Sequence, residues 1–302
     1  MKKIILSLLV VLLTTTMVFG QARSKKGANS KANKVEFVSE EEIARQEREI
    51  KNLFDQINQV DTDAKKVKLF NQIRRKMATL LDQADDFEYA FPTLDNVGKV
   101  KSSDNKVHMY TCNILLSDGT PIYMALFQHY DFAGIYSLTQ RLSTGKTILP
   151  SNSGYLKEEQ WYGALYYEIH PIVYKEKDVY MVFGLLPSSN GETQYKVIDV
   201  LAFSKKAIKM GAPSFIAPWA GKKKRHRVIF EYDKNAELTL TYNPKKKTIV
   251  FDHLAPIRKT ADGKKDVMGP DMSYDALVYK DDVWTYKADV NVKNKKEKKS
   301  KK

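Results

Sequence analysis

The chain has 302 residues, a formal net charge of +14 and a single cysteine. One cysteine excludes an intramolecular disulfide, so the fold has to be stabilised by a hydrophobic core. Lys2, Lys3, the basic segment 21–34 and the lysine-rich segment 293–302 hold all but about one of the net positive charges. The rest of the chain is nearly neutral, which argues against nucleic acid as the partner.

Residues 1–20 have the pattern of an export signal, in which Lys2 and Lys3 precede an apolar run over 4–13 and small residues for a signal peptidase. That run is shorter than the ~20 apolar residues of a spanning helix. We therefore expect cleavage, no transmembrane segment afterwards, and a periplasmic, outer-membrane-associated or secreted protein.

Two flanking segments, 21–38 and 290–302, are basic and poor in apolar residues, which is typical of disordered tails. Their charge would attract anionic envelope polymers. The expected partners are accordingly an unknown envelope protein or an anionic envelope polymer.

Residues 39–85 are predicted to form an antiparallel αα-hairpin. Ser39 and Glu42 make a capping box, and the apolar positions that follow recur every three or four residues, interrupted only by Glu47. These positions are Ile43, Ile50, Phe54, Ile57 and Val60, then Val67, Phe70, Ile73, Met77, Leu80 and Leu81. Their stripe could pack on the rest of the chain or pair with a second chain.

From residue 86 to 289 the apolar pattern changes to the alternation of half-buried strands. The predicted strands are 106–116, 121–130, 162–174, 179–186, 195–203, 228–232, 238–242, 248–251, 275–279 and 283–286. Between 227 and 284 the strands are expected to form a meander of successive hairpins. The pattern predicts a mainly β, α+β chain with a large antiparallel β-sandwich or bent sheet, and a β-propeller is the competing architecture.

Several segments of the β region resemble an exported β-rich protein family of Bacteroidota. They are Trp161-Tyr162-Gly163-Ala164-Leu165-Tyr166-Tyr167, Lys196-Val197-Ile198-Asp199-Val200-Leu201, Arg227-Val228-Ile229-Phe230-Glu231-Tyr232, Ile249-Val250-Phe251-Asp252-His253-Leu254 and Gly269-Pro270-Asp271-Met272-Ser273-Tyr274-Asp275. The resemblance implies a signal peptide and an envelope or secreted location, and it implies no activity.

A candidate polar cluster is formed by Asp252, His253, Asp271, Ser273 and Asp275, which we expect at strand ends. A histidine beside a carboxylate can serve as a base or a metal ligand. However, adjacent residues on a strand point to opposite faces, so Asp252 is expected to cap the following turn instead.

The alternating oxygens of Asp271, Ser273 and Asp275 are like the start of a calcium loop, but Ala276 replaces the required glycine and Asp282 the final glutamate. We therefore expect no cofactor, with calcium as the alternative, and turn hydrogen bonds from Asp271 and Ser273.

Trp161, Tyr162 and Tyr166 form a candidate aromatic surface that could stack on a sugar or a peptide. Because the rings alternate between both faces of their strand, a sheet packed on both sides is the alternative.

Three further features are weaker. Gly145-Lys146-Thr147 ends like a phosphate-binding loop but lacks the first glycine and a β-α context. The basic run 222–227 could hold an anion or be a solvated loop, and Cys112 is expected to be a buried, inert thiol.

No catalytic motif has its required spacing, so we expect an exported, non-catalytic binding or assembly module rather than an enzyme. The alternative is an envelope hydrolase, or a carbohydrate- or metal-binding module, with a site around Asp252, His253 and Asp271.

Overall fold

The computed structural model describes residues 38–83, 89–139, 151–187, 191–220 and 223–291. The export signal, nearly all of the basic linker, Gly145-Lys146-Thr147 and the lysine-rich tail from residue 292 lie outside these residues. All of the described residues belong to one compact unit.

Two helices open the described chain, α1 over Glu40–Ile57 and α2 over Asp63–Gln83. Ser39 is the N-cap of α1, and its side chain accepts a hydrogen bond from the backbone N–H of Glu42 at 3.3 Å. This confirms the predicted helix start. The reciprocal bond of the predicted capping box is not formed, because the Glu42 carboxylate accepts hydrogen bonds from Arg45 and Gln46 instead. Within the described ranges, no helix is both long enough and apolar enough to cross a membrane.

Fourteen strands follow in the described part of the chain. Their bounds are β1 Gly98–Lys101, β2 Val107–Leu115, β3 Pro121–His129, β4 Phe132–Thr139, β5 Leu165–Tyr174, β6 Lys177–Pro187, β7 Thr193–Phe203, β8 Ile208–Met210, β9 Phe215–Ile216, β10 Val228–Asp233, β11 Leu240–Asn243, β12 Thr248–Lys259, β13 Asp266–Lys280 and β14 Val283–Lys287.

The strands form three sheets. The first has the order β1-β2-β3-β4, the second β10-β7-β6-β5 with β8 also on β7, and the third β11-β12-β13-β14-β9. Among the strands of the described residues, all pairs are antiparallel except β14 with β9. The mainly β, α+β prediction with stacked antiparallel sheets is therefore confirmed.

Three hydrophobic cores separate four layers. One core joins the helices to the outer face of β2 and β3, where Cys112 is buried as expected. The next joins the other face of this first sheet to the second sheet, and the last joins the second sheet to the third. The predicted helical hairpin thus packs on the β region of its own chain.

Glu47 interrupts the apolar stripe of α1, and the structure explains why. Its side chain is fully buried and accepts hydrogen bonds from the Tyr89 hydroxyl at 3.0 Å and the Thr93 backbone N–H at 2.6 Å. A buried carboxylate is tolerated when such donors replace its water. Glu47 therefore ties the segment after the helices to α1.

The predicted meander over 227–284 is wrong for its first strand, whereas β11, β12, β13 and β14 do form successive hairpins in the third sheet. β10 pairs with β7 in the second sheet, whereas β11 begins the third, so the turn after Asp233 joins two sheets instead of closing a hairpin. Alternation indicates which residues of a strand are buried, but it does not specify the neighbouring strand. The short strands β1, β8 and β9 and the strand β4 were not predicted.

Candidate functional site

The sequence predicted the candidate polar cluster at strand ends, but the structure places it in the middle of a long hairpin. β12 and β13 pair along most of their length, and the register shifts between Asp252 and Leu254. There His253 alone lies opposite the three residues 271–273. Such an irregularity re-aims side chains, which is why residues from both strands meet here.

His253 and Asp275 form a hydrogen-bonded pair, with 2.7 Å between Nδ1 and Oδ2. The imidazole is 39 % exposed, whereas the carboxylate is only 3 % exposed. The hydrogen bond to Asp275 raises the pKa of His253, although partial burial opposes the shift. Asp275 therefore fixes the ring orientation and favours the protonated imidazole.

Asp275 is itself held by further donors. Its Oδ2 accepts a hydrogen bond from the Tyr286 hydroxyl at 2.7 Å, and its Oδ1 accepts one from the Asp289 backbone N–H at 3.2 Å. Both oxygens of this buried carboxylate are thus engaged. The arrangement is preorganised, because the group that orients His253 cannot rotate without breaking three hydrogen bonds.

Asp271 and Ser273 form the tight bend opposite His253. Asp271 Oδ1 accepts hydrogen bonds from the Ser273 hydroxyl at 2.7 Å and the Ser273 N–H at 3.0 Å, and these bonds lower the pKa of Asp271. Met272 between them has a φ of 71°. The predicted turn bonding is therefore correct, and the Ser273 hydroxyl is directed to Asp271 and not to His253.

Asp252 lies apart from the imidazole pair. Its Oδ2 accepts a hydrogen bond from the Thr239 backbone N–H at 2.6 Å, and Thr239 precedes it in the chain. The expectation that it caps the following turn is therefore wrong, although it does bond a backbone N–H. Asp252 is only 9 % exposed.

A cleft of about 400 Å³ opens beside this cluster. It is lined by Pro218, Trp219, Ile229, Phe230, Glu231, Phe251, Asp252, His253, Leu254, Met268, Asp275 and Tyr286. Most of these side chains are apolar, and the polar groups are three carboxylates, one imidazole and the Tyr286 hydroxyl, which donates to Asp275. A concave apolar site with a few convergent polar groups is the usual form of a small-ligand site.

Trp219 is the exposed aromatic residue of this cleft. It lies in the short 3₁₀ helix Pro218–Ala220 and is 45 % exposed. Its ring lies 5.9 Å from that of Phe230, 6.1 Å from that of Phe251 and 5.3 Å from that of Tyr286. Three aromatic neighbours therefore hold the indole in place.

Three residues that line the cleft were not predicted from the sequence: Trp219, Glu231 and Tyr286. Trp219 follows a proline, which is favourable at the first position of a helix, but a single tryptophan in a loop gives no periodic signal. Glu231 occupies an exposed position of β10. The only signal in the sequence for a role of Trp219 is that this large apolar residue lies shortly before a basic run.

The candidate aromatic surface does not exist, because Trp161, Tyr162 and Tyr166 are all at least 98 % buried, with exposures of 0 %, 1 % and 2 %. The Trp161 indole donates to the Tyr166 hydroxyl at 2.9 Å. The Tyr162 hydroxyl donates to Asp199 at 3.0 Å. The three rings lie in one core between the first two sheets, so the expected alternation between the faces of a strand is wrong. The second sheet is packed on both sides, as the alternative predicted.

The same network contains a fully buried ion pair. Arg227 Nε donates to Asp199 Oδ2 at 2.8 Å, and both side chains are 0 % exposed. Burial alone would lower the pKa of Arg227, but the Asp199 carboxylate outweighs it and the pKa is raised. Arg227 also donates to the carbonyl oxygens of Ser151 and Gly154. The end of the basic run is therefore structural.

The described residues contain no group of three or more His, Cys, Asp or Glu side chains that could hold a metal ion. In Cys112, burial raises the pKa of the thiol, so the thiolate needed for reactivity is disfavoured.

The chain matches no family model, no curated protein and no solved structure. The resemblance to an exported family of Bacteroidota stays a prediction.

Proposed function

We propose that this chain is an exported, non-catalytic binding module of the bacterial envelope that holds its ligand in the cleft beside Trp219 and His253. One observation carries the proposal: an apolar cleft of about 400 Å³ whose polar wall is fixed by internal hydrogen bonds. Preorganised walls reduce the entropy lost on binding, which favours a site that holds a ligand.

Export is supported by the signal-like residues 1–20 and by the resemblance to the Bacteroidota family. The basic segments outside the described residues would bring the protein to an anionic envelope polymer or an envelope protein. In this proposal the tails localise the protein and the cleft provides specificity.

A second candidate function, hydrolysis, is favoured by the pair of His253 and Asp275. A carboxylate that orients an imidazole is the arrangement of a general base. Against it, the Ser273 hydroxyl donates to Asp271 and so does not serve His253 as a nucleophile. A water molecule would have to be the nucleophile, and no donor pair for a developing oxyanion is evident among the described residues of the cleft.

The test compares the chain from residue 21 onward with its Trp219→Ala variant in a thermal-shift screen of sugars, amines, carboxylates and phosphates. We expect at least one class to raise the wild-type Tm by roughly 3 °C at ten times its Kd, and to leave the variant unchanged. No stabilising class, or stabilisation that persists in Trp219→Ala, would contradict the proposal.

The same preparations distinguish binding from catalysis. Fluorogenic esters, phosphodiesters and glycosides should not be turned over above background. Turnover that is lost in His253→Ala would establish the hydrolase instead.

A further inference from the structure

The cleft combines an aromatic floor with hydrogen-bonding groups that the protein leaves unused. Asp252 Oδ2 is bonded to Thr239, but Oδ1 accepts no hydrogen bond from any described residue, and the side chain is nine-tenths buried. His253 Nδ1 is bonded to Asp275, whereas Nε2 makes no hydrogen bond within the described part of the chain and lies 4.0 Å from Asp271 Oδ2. One acceptor and one imidazole nitrogen are thus available to a ligand.

The charges around the cleft disfavour anionic ligands. An anion would meet the carboxylates of Glu231, Asp252 and Asp275, which all line the cleft. A single imidazole does not outweigh these carboxylates, so charge alone does not exclude a cation. An alkylammonium ion, however, has no acceptor for a hydrogen bond from His253 Nε2, whereas a neutral ligand with both donors and acceptors matches both unused groups and fits best.

The aromatic floor of the cleft favours a ligand that has an apolar face. Trp219 is 45 % exposed and is supported by the rings of Phe230, Phe251 and Tyr286. A flat, rigid indole buries the apolar face of a ring-shaped ligand at little entropic cost. Pyranose sugars have such a face together with hydroxyl groups around their edge that both donate and accept.

We infer that the cleft binds a neutral pyranose ring of a glycan, stacked on Trp219, with one hydroxyl donating to Asp252 Oδ1 and another accepting from His253 Nε2. This inference rests on the proposed binding function and names the ligand class of the same site. It adds Trp219 as the stacking platform and Asp252 as the residue that determines orientation.

The experiment compares methyl pyranosides of glucose, galactose, mannose and N-acetylglucosamine with 1-hexylamine, which represents cationic ligands, and hexanoate, which represents anionic ligands. Binding to the chain from residue 21 onward is measured by calorimetry at neutral pH. Tryptophan fluorescence locates the ligand, because Trp161 and Trp284 are fully buried and Trp219 is exposed. We expect saturable binding of at least one pyranoside with a change in fluorescence.

Three variants test the named contacts. Trp219→Ala should raise the Kd of that pyranoside about tenfold or more, and Trp219→Phe should recover part of the affinity because it keeps a ring. Asp252→Asn should raise the Kd about fivefold, because its amide oxygen keeps the bond to Thr239 while an NH2 donor replaces the charged acceptor that the sugar hydroxyl needs. Tyr155→Ala is the matched control, because Tyr155 is also 45 % exposed and does not line the cleft.

The outcomes distinguish the sugar inference from the proposed binding function. If hexylamine or hexanoate binds in a Trp219-dependent manner and no pyranoside does, the sugar inference is overturned and the binding function stands. If no probe binds, both are overturned. Pyranoside binding that survives both Trp219→Ala and Asp252→Asn would also overturn the inference, and circular dichroism of each variant confirms that it is folded.

Discussion

Two carboxylate-centred networks in this protein use similar chemistry in opposite settings. In the inner network, Asp199 accepts hydrogen bonds from Arg227 and Tyr162, and both charged side chains are fully buried. In the outer cluster, Asp275 is equally buried but orients His253, which is 39 % exposed. The difference is whether a polar atom remains available once the internal bonds are made.

The inner network uses its bonds to hold the chain together. Arg227 connects β10 to β7 through Asp199 and to the segment 151–154 through backbone carbonyls. The outer cluster uses its bonds to orient one imidazole beside an apolar cleft. In this protein, an ionisable group with a shifted pKa therefore indicates a ligand site only where solvent can reach that group.

The largest effect is expected from Arg227→Met, which leaves Asp199 buried without its cation. We expect a loss of about 3–5 kcal/mol in the free energy of unfolding, measured by urea denaturation. The matched control is Lys259→Met, because Lys259 pairs with Asp266 on the surface with exposures of 61 % and 48 %. The control should change stability by about 1 kcal/mol or less. Equal effects of the two variants would contradict a structural role for the inner network.

A pH-dependent effect is expected from His253→Gln. The pKa of His253 is raised in the folded chain above its ordinary value of 6.5, so its contribution is fully present below pH 6.5 and is lost as the pH rises through the folded pKa. The stability deficit of the variant should therefore be largest near about pH 5.5–6 and smallest near about pH 8.5.

Urea denaturation across this pH range measures the deficit. Histidine NMR adds a direct control, because Asp275→Asn should return the pKa of His253 towards its ordinary value. If the stability deficit of His253→Gln stayed constant or grew with pH, the hydrogen bond between His253 and Asp275 would not depend on a charged imidazole.

The smallest effect is expected from Ser273→Ala. Asp271 is exposed and loses one of its two hydrogen bonds from Ser273, so stability should change by no more than about 0.5 kcal/mol. The pKa of Asp271 should rise, which carboxyl NMR detects. If Ser273→Ala abolished a measurable turnover, the hydroxyl would be a nucleophile and the non-catalytic proposal would fail.

The sequence predicted the elements better than their assembly. The capping box at Ser39 and the three- and four-residue spacing of α1 and α2 are local signals, so both helices were recognisable. The alternation of β10 showed that Phe230 is buried, but only the three-dimensional pairing places β10 beside β7 instead of β11. Non-local pairing has no period in the sequence.

The candidate site was predicted only in part. His253, Asp271 and Asp275 do come together, but the irregular pairing opposite His253 that brings them together has no signature in the hydrophobic pattern. Trp219 reaches the cleft because its short 3₁₀ helix follows β9, a two-residue strand paired with β14. Such a short strand lacks the residues needed to show alternation, so the platform could not be predicted.

The most direct test of the account is the indole N–H spectrum of the ¹⁵N-labelled chain in a titration with the methyl pyranosides. We expect the Trp219 signal to shift until it saturates. The signals of Trp161 and Trp284 should stay in place, because the Trp161 indole donates to Tyr166 and Trp284 is fully buried. A Trp219 signal that does not move at any pyranoside concentration would contradict the claim that this cleft binds a pyranose ring.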